Sequence, residues 1–311
     1  MRTRSLKLLT AIATVMLVWV GGCEAKVAAT VHSPPGYSPV DRYSSQRQPQ
    51  LAELMLEART PDTLPNFEFG ALQARIQEAT DEAVASSATL SVAILDRATH
   101  QLASNGNNQI AGIASVAKLF IADDLLLREF EGRATLSSAD RLALDIMLQS
   151  SDDSVAEKFW DQDGGAAIIT QIANRYRLTA TKPPGDGRWW NTVSSATDLI
   201  HYYDMLLDGS GGLPPERARI IVNDLAQSTP TGVDGYPQHF GIPDSLYAEP
   251  VAVKQGWMCC IGSDWMHLST GMIGTDRRYI MVIQSLQPSD DTTARQTITR
   301  AVKTIFPHGR I

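Results

Sequence analysis

The chain has 311 residues, of which 43% are hydrophobic and 20% charged, with a formal net charge of −7. That length and balance suit one large globular domain or two small ones, and about 250 residues bury a sizeable core without disulfide staples. A negative chain with no basic stripe and no aromatic-interleaved basic run is not built to bind nucleic acid.

The chain opens with Arg2, Arg4 and Lys7, followed by an apolar run from Leu8 to Val20. The run is too short to span a bilayer comfortably and reads as a signal peptide over residues 1–22. It ends in Val20-Gly21-Gly22-Cys23, which resembles a bacterial lipobox. The resemblance implies cleavage before Cys23, a diacylglycerol on its sulfur, and a lipid anchor in the cell membrane facing away from the cytoplasm. Acyl chains hold firmly because each buried CH₂ contributes about 0.8 kcal/mol. Loss of three cations and no acids would take the charge from −7 to −10, so lipid and not charge would provide the membrane contact. Residues 23–65 are rich in Ser, Pro, Arg, Gln and Ala, and read as a tether with one short helix near 51–58.

A folded domain is expected over 66–311. Leu72, Ile76, Ala79 and Ala83 fall at helical spacing within a predicted helix over 67–87. Thr89–Asp96 and Gln101–Ser104 read as two strands. A helix is predicted from Ile113 to Glu131, stopped by Gly132. Helices over 138–150, 154–160, 166–176 and 196–208 surround a Pro/Gly/Trp loop at 178–192. Strands are predicted over 250–254, 265–273 and 278–285, and a closing helix over 293–306 capped by Ser289 or Asp290. The fold class is therefore α/β. Strands from both ends of the chain form one antiparallel sheet flanked by helices, with an all-helical subdomain inserted near 133–248.

Ser115-Val116-Ala117-Lys118 opens the long helix. Residues three apart share a helix face, so the hydroxyl and the ammonium can meet. The helix N-terminus offers backbone N–H groups to a developing oxyanion. A desolvated lysine beside another cation can lose its proton and act as base. Ser151-Asp152-Asp153 follows in a Ser-Asp-rich joint, and Lys254-Gln255-Gly256 ends a predicted strand.

In this order the three elements resemble the SxxK, SDN and KTG motifs of the class A β-lactamases and penicillin-binding proteins, over roughly residues 67–307. The resemblance implies Ser115 as nucleophile, Lys118 as its base and Ser151 as proton relay. Lys254 would hold a ligand carboxylate and depress the Lys118 pKa. The N–H groups of Ser115 and Trp257 would form an oxyanion hole. Asp153, Gln255, Gly256 and Trp257 would touch the ligand, with Gly256 leaving room for it along the strand edge. The ligand would be a peptidoglycan peptide or a β-lactam, and no metal or organic cofactor is implied.

Three departures from the family pattern are evident. Asp153 replaces an Asn and is expected to raise the pKa of Lys118. Gln255 replaces a Thr or Ser and is expected to crowd the groove. The loop at 178–191 lacks a deacylating Glu, its one acid being Asp186, so an acyl-enzyme would persist. The motifs thus suit a slow serine acyltransferase, weak hydrolase or penicillin-binding protein. They also suit a non-catalytic lipoprotein that holds an envelope ligand or a protein partner. Trp189, Trp190 and Trp257 would either line the cleft or plug it. His201, His239 and His267 read as structural or surface residues, and Asp123-Asp124 as a solvated pair. Cys259 and Cys260 read as thiols at a strand end in preference to a vicinal disulfide.

Overall fold

The computed structural model describes residues 69–311; the expected signal peptide, Cys23 and the tether lie outside the described residues. In chain order the elements are α1 (Phe69–Ala85), β1 (Thr89–Asp96), β2 (Gln101–Ser104), β3 (Ala111–Gly112), a 3₁₀ turn (Ala114–Ala117) and α2 (Lys118–Phe130). Next come α3 (Ser138–Gln149), α4 (Asp153–Asp163), α5 (Ala166–Arg175), a second 3₁₀ turn (Trp189–Asn191), β4 (Val193–Ser194), α6 (Ala196–Asp208), α7 (Pro215–Ala226) and α8 (Ile242–Ser245). The chain closes with β5 (Val251–Ile261), β6 (Asp264–Ile273), β7 (Tyr279–Gln287) and α9 (Asp291–Ile305).

The main sheet is antiparallel in the order β2-β1-β7-β6-β5. On one face α1 and α9 bury Leu72, Ile76, Ile298 and Val302 against Val92 and Ile283. On the other face the helical block buries Phe120, Met147, Phe159 and Tyr203 against Met272 and Val282. The expected α/β architecture, with its helices inserted between β2 and β5, is the one observed.

Local chemistry fixes the helix ends. Ser137 and Asp140 form a capping box at α3, Asp152 caps α4 and Asp290 caps α9. Gly164 and Gly209 end α4 and α6 in the left-handed conformation that glycine adopts without penalty.

Two sequence readings are corrected here. Asp123 and Asp124 are buried, because each faces a cation inside the helical block. Asp123 accepts from Arg175, Tyr176 and Tyr202, and Asp124 accepts from Arg128 at 2.8 Å. Cys259 and Cys260 are joined to each other by a disulfide across a cis peptide bond. A register shift between Met258 and Ile261 lifts the pair out of the β5–β6 ladder, and both residues are exposed there. Of the histidines, His201 and His239 are exposed, and His267 is buried against the Tyr236 hydroxyl at 2.7 Å.

Asp224 on α7 supplies a stability prediction. Its Oδ1 accepts from Gln149 Nε2 at 2.8 Å, while Oδ2 is buried without a partner. Burial, with a smaller push from Asp145, raises its pKa to about 6. A folded pKa above the unfolded value means stability falls as pH rises between about 4 and 6, and the full penalty persists above 6. The shift is equivalent to at most about 3 kcal/mol. Asp224→Asn keeps the bond from Gln149 and is expected to stabilise the fold by about 1–2 kcal/mol at pH 7. It should do almost nothing at pH 4. Urea denaturation at the two pH values checks this.

Candidate active site

Ser115 sits in the 3₁₀ turn that leads into α2, shorter and tighter than the uninterrupted helix expected from sequence. The turn is held on three sides. Ile113 N donates to Thr192 O at 3.0 Å, and Gln284 Nε2 donates to Gly112 O at 2.9 Å. On the third side Gly256 of β5 lies so close that a Cβ there would come within 2.6 Å of Ile113 O. Gly256 was expected to make room for a ligand. It makes room for the nucleophile turn instead, because its missing side chain faces that turn. Ala114, just before the serine, has φ +44°, a left-handed conformation that costs an alanine on the order of 1–3 kcal/mol. Ser151 has φ +58°. Strain at both serines is the kind of feature that a surrounding scaffold must impose.

Five side chains, those of Ser115, Lys118, Ser151, Asp153 and Lys254, meet at the turn. Lys118 is fully buried, and its Nζ donates to Ser115 Oγ at 2.9 Å, Ser151 Oγ at 3.0 Å and Ser151 O at 2.7 Å. It also reaches Asp153 Oδ1 at 2.5 Å and lies 4.8 Å from the centroid of the Trp189 ring. Lys254 Nζ, from the opposite wall, donates to Ser151 Oγ at 2.9 Å and to Gln255 O at 3.3 Å. The Ser151 hydroxyl thus bridges two amines that enter from helix and sheet.

Burial is the largest influence on both amines, because it disfavours the ammonium form. It pushes the Lys254 pKa well down, and the neighbouring charge of Lys118 adds to this. No carboxylate pairs with Lys254 among the described residues. Burial also lowers the Lys118 pKa, with Asp153 opposing the shift. Asp153 thus acts on Lys118 in the expected direction, but the net shift is downward. The Asp153 carboxylate is 69% exposed, and water screens it while desolvation acts on the whole ammonium.

The cleft above these groups encloses about 220 Å³ and is lined by Ser115, Asp153, Trp189, Trp190, Asp234 and Trp257. Trp189 is a buried wall, its Nε1 bonded to Glu157 at 2.9 Å, with Trp190 edge-on to it at 5.3 Å. Trp257 stacks on Tyr236 at 4.5 Å. The tryptophans line the cleft and leave it open. Gln255 is turned away, because side chains alternate across a strand and Lys254 and Gly256 take the cleft side. Its Nε2 is bound to Phe240 O at 2.6 Å and Gln238 O at 3.1 Å, so the expected crowding of the groove does not occur. Asp186 is occupied by Arg188 N and Asn191 Nδ2 and does not line the cleft. Asp234 was not anticipated; it lies in a Gly/Pro/Asp-rich loop where nothing in the sequence marks one acid as facing a cleft. Among the described residues no His/Cys/Asp/Glu cluster could hold a metal ion.

No protein-family model matches the chain. It is 68% identical over 319 residues to the protein named "Putative lipoprotein LppW" from Mycobacterium tuberculosis, covering the whole of both chains, and equally to its counterpart in Mycobacterium bovis. Among solved structures, the PBP-A acyl-enzyme complex with penicillin G superposes with a TM-score of 0.62 at 18% identity, covering 76% of this chain and 96% of that one. A β-lactamase from Chitinophaga pinensis gives 0.61 at 12% identity, covering 75% and 98%. One from Sphaerobacter thermophilus gives 0.61 at 13%, covering 76% and 97%. Identities this low carry the fold, a class A β-lactamase fold, and nothing finer.

Proposed function

The chain belongs to the family of the lipoprotein LppW, and on that footing we propose that it is an envelope lipoprotein, anchored by lipid on Cys23, that transfers acyl groups through Ser115. The observation that carries the reading is the unbroken chain Ser115 Oγ–Lys118 Nζ–Ser151 Oγ–Lys254 Nζ, each link 2.9–3.0 Å long. These are hydrogen-bond distances along which a proton can leave the nucleophile.

In the proposed step Ser115 Oγ attacks the carbonyl of an activated amide, ester or thioester. The C–O bond forms as the hydroxyl proton passes to whichever amine of the pair is neutral. The N–H groups of Ser115 and Trp257 would receive the developing oxyanion. Collapse breaks the bond to the leaving group, which takes its proton by way of Ser151. Among the described residues no glutamate lines the cleft, and its two aspartates are engaged, Asp153 by Lys118 and Asp234 by Tyr236 N, so the ester on Ser115 is expected to outlive the first step.

Incubating the full-length lipoprotein, in a neutral detergent, with fluorescent penicillin and with simple thioesters tests this by intact mass. A single stable acyl adduct, absent in Ser115→Ala, is the expected result. Complete absence of adduct with every donor would instead favour the second reading, a ligand-holding protein with a silent serine. The 220 Å³ cleft, smaller than the roughly 300–1,000 Å³ of ordinary ligand sites, favours a small donor over a bicyclic lactam.

A further inference from the structure

Resting on the acyl-transfer reading of the same cleft, we infer that its acyl donor carries a positive charge, an ammonium group beside the reacting carbonyl, and not the carboxylate that the SxxK/KTG resemblance implies.

Three observations converge on this. First, the cleft is acidic at its rim. Asp153 and Asp234 are both exposed and both line it, and no Lys or Arg among the described residues is part of the lining. Second, the cations beneath it are spoken for. Lys118 is fully buried, with Asp153, two serine hydroxyls and a carbonyl around its Nζ. Lys254 is 1% exposed and spends its bonds on Ser151 and Gln255 O. The residue that would supply a hydroxyl to a ligand carboxylate is Gln255, and its amide is bound on the far side of β5. A carboxylate entering this cleft would meet Asp234, which has no cationic partner among the described residues, beside the Asp153–Lys118 ion pair, and no free donor of positive charge.

Third, the remaining walls are indoles. Trp189, Trp190 and Trp257 line the cleft, and indole rings attract cations by their quadrupole. Two already do so within the molecule: Lys118 lies over Trp189, and Arg188 lies 5.6 Å over Trp190 with Asp186 3.9 Å from its guanidinium. Aromatic faces joined to carboxylates in a small cleft are the composition that recognises alkylammonium groups. Asp234 and Trp257 sit on the same side, linked through Tyr236, which stacks on Trp257 two residues after Asp234. This is the β5 side of the cleft, and a cationic group on the donor would be drawn to it.

The experiment uses three benzoyl thioesters that differ only in the leaving thiol: mercaptoacetate, mercaptoacetamide and thiocholine. Ser115 Oγ would take the benzoyl group, the C–S bond would break, and the thiol would leave with the serine proton or as thiolate. Acylation of the full-length protein in neutral detergent is followed by intact mass, and each rate is divided by that ester's own hydroxide hydrolysis rate. The thiocholine ester is expected to react at least about tenfold faster than the mercaptoacetate ester, and Asp234→Asn to cut that ratio several-fold. In parallel, unreactive benzyltrimethylammonium and phenylacetate are titrated against tryptophan fluorescence, where the cation should bind and the anion should not. Equal rates, faster reaction of the mercaptoacetate ester, or an Asp234→Asn ratio equal to the parent's would overturn the charge assignment while leaving acyl transfer intact. Cation binding with no acylation by any ester would overturn acyl transfer and uphold the charge assignment. Failure of both assays would remove both.

Discussion

Lys118→Met is expected to slow acylation of Ser115 by two to four orders of magnitude, the range that general-base assistance ordinarily contributes (about 10²–10⁴). Methionine matches the lysine stem in length and fills the same buried space, so the fold should survive. The serine would lose the amine 2.9 Å from its hydroxyl. Asp153→Asn is expected to act in the opposite direction. It removes the anion 2.5 Å from Lys118 Nζ, which is the main influence holding that ammonium against the pull of burial. The Lys118 pKa should then fall further, leaving more free amine at neutral pH. Each unit is worth up to about tenfold in rate. The pH profile carries the sign: acylation rises with pH as Lys118 deprotonates, and the rising limb moves to lower pH in Asp153→Asn. Stopped-time intact mass across pH 5–9 (about the accessible range) measures both. A limb that stays in place would show that Lys118 is not the base.

Asp123→Ala is expected to cost about 3–5 kcal/mol of stability, among the largest effects any single substitution can have here. The carboxylate is fully buried beneath α2 and is bonded by Arg175, Tyr176 and, at 3.3 Å, Tyr202. Removing it leaves the Arg175 charge with Gly211 O, 2.7 Å away, as its remaining hydrogen-bond partner and strands the buried Tyr176 hydroxyl, while Tyr202 keeps its bond to Leu119 O at 3.2 Å. The tyrosine rings are themselves structural: Tyr202 packs edge-on to Phe120 at 4.9 Å and against Tyr176 at 4.7 Å. A double-mutant cycle with Arg175→Met isolates the pair. If the carboxylate and guanidinium act as a unit, the double variant should be less destabilised than the two single losses added together, by about 1–3 kcal/mol. Additive losses would mean that Asp123 acts through the tyrosines alone. Denaturant titration of all three variants and the parent supplies the comparison.

The residues that face one another through local geometry were legible in the sequence. Strands β1 and β2 and helix α6 fall where alternation, period and capping residues put them. The pairing of Ser115 with Lys118 follows from a three-residue spacing in a helical turn. Ser151 and Lys254 were joined to them by motif resemblance alone, since no local rule brings residues 103 positions apart to one hydroxyl. Helix α7 was missed although Pro214-Pro215 marks its start, because the consecutive β-branched residues Ile220-Ile221-Val222 obscure its helical spacing. Strand β5 runs seven residues past Lys254 to Ile261, through Gly256 and two cysteines that disguise the strand pattern. The misplaced side chains share a cause. Gln255 was aimed by analogy where strand alternation aims it elsewhere. Asp123 reads as solvated because its partner Arg175 lies 52 residues away, whereas Asp124 pairs with Arg128 one helical turn on, a spacing open to sequence reading; what local sequence does not reveal is that this turn is buried.

The strand order has a consequence for how the protein can be made. β1 is an inner strand of the sheet, yet Leu90 finds its neighbour Ser285 only on β7. A nascent chain delivered N-terminus first would expose β1 with nothing but the short β2 beside it until almost the last residues emerge. Non-local pairing of this kind is slow, since the entropy of closing so large a loop precedes any gain from contact. The sheet therefore cannot close until β7 is available, and the cleft wall that β5 supplies is set in place only with the C-terminal strands.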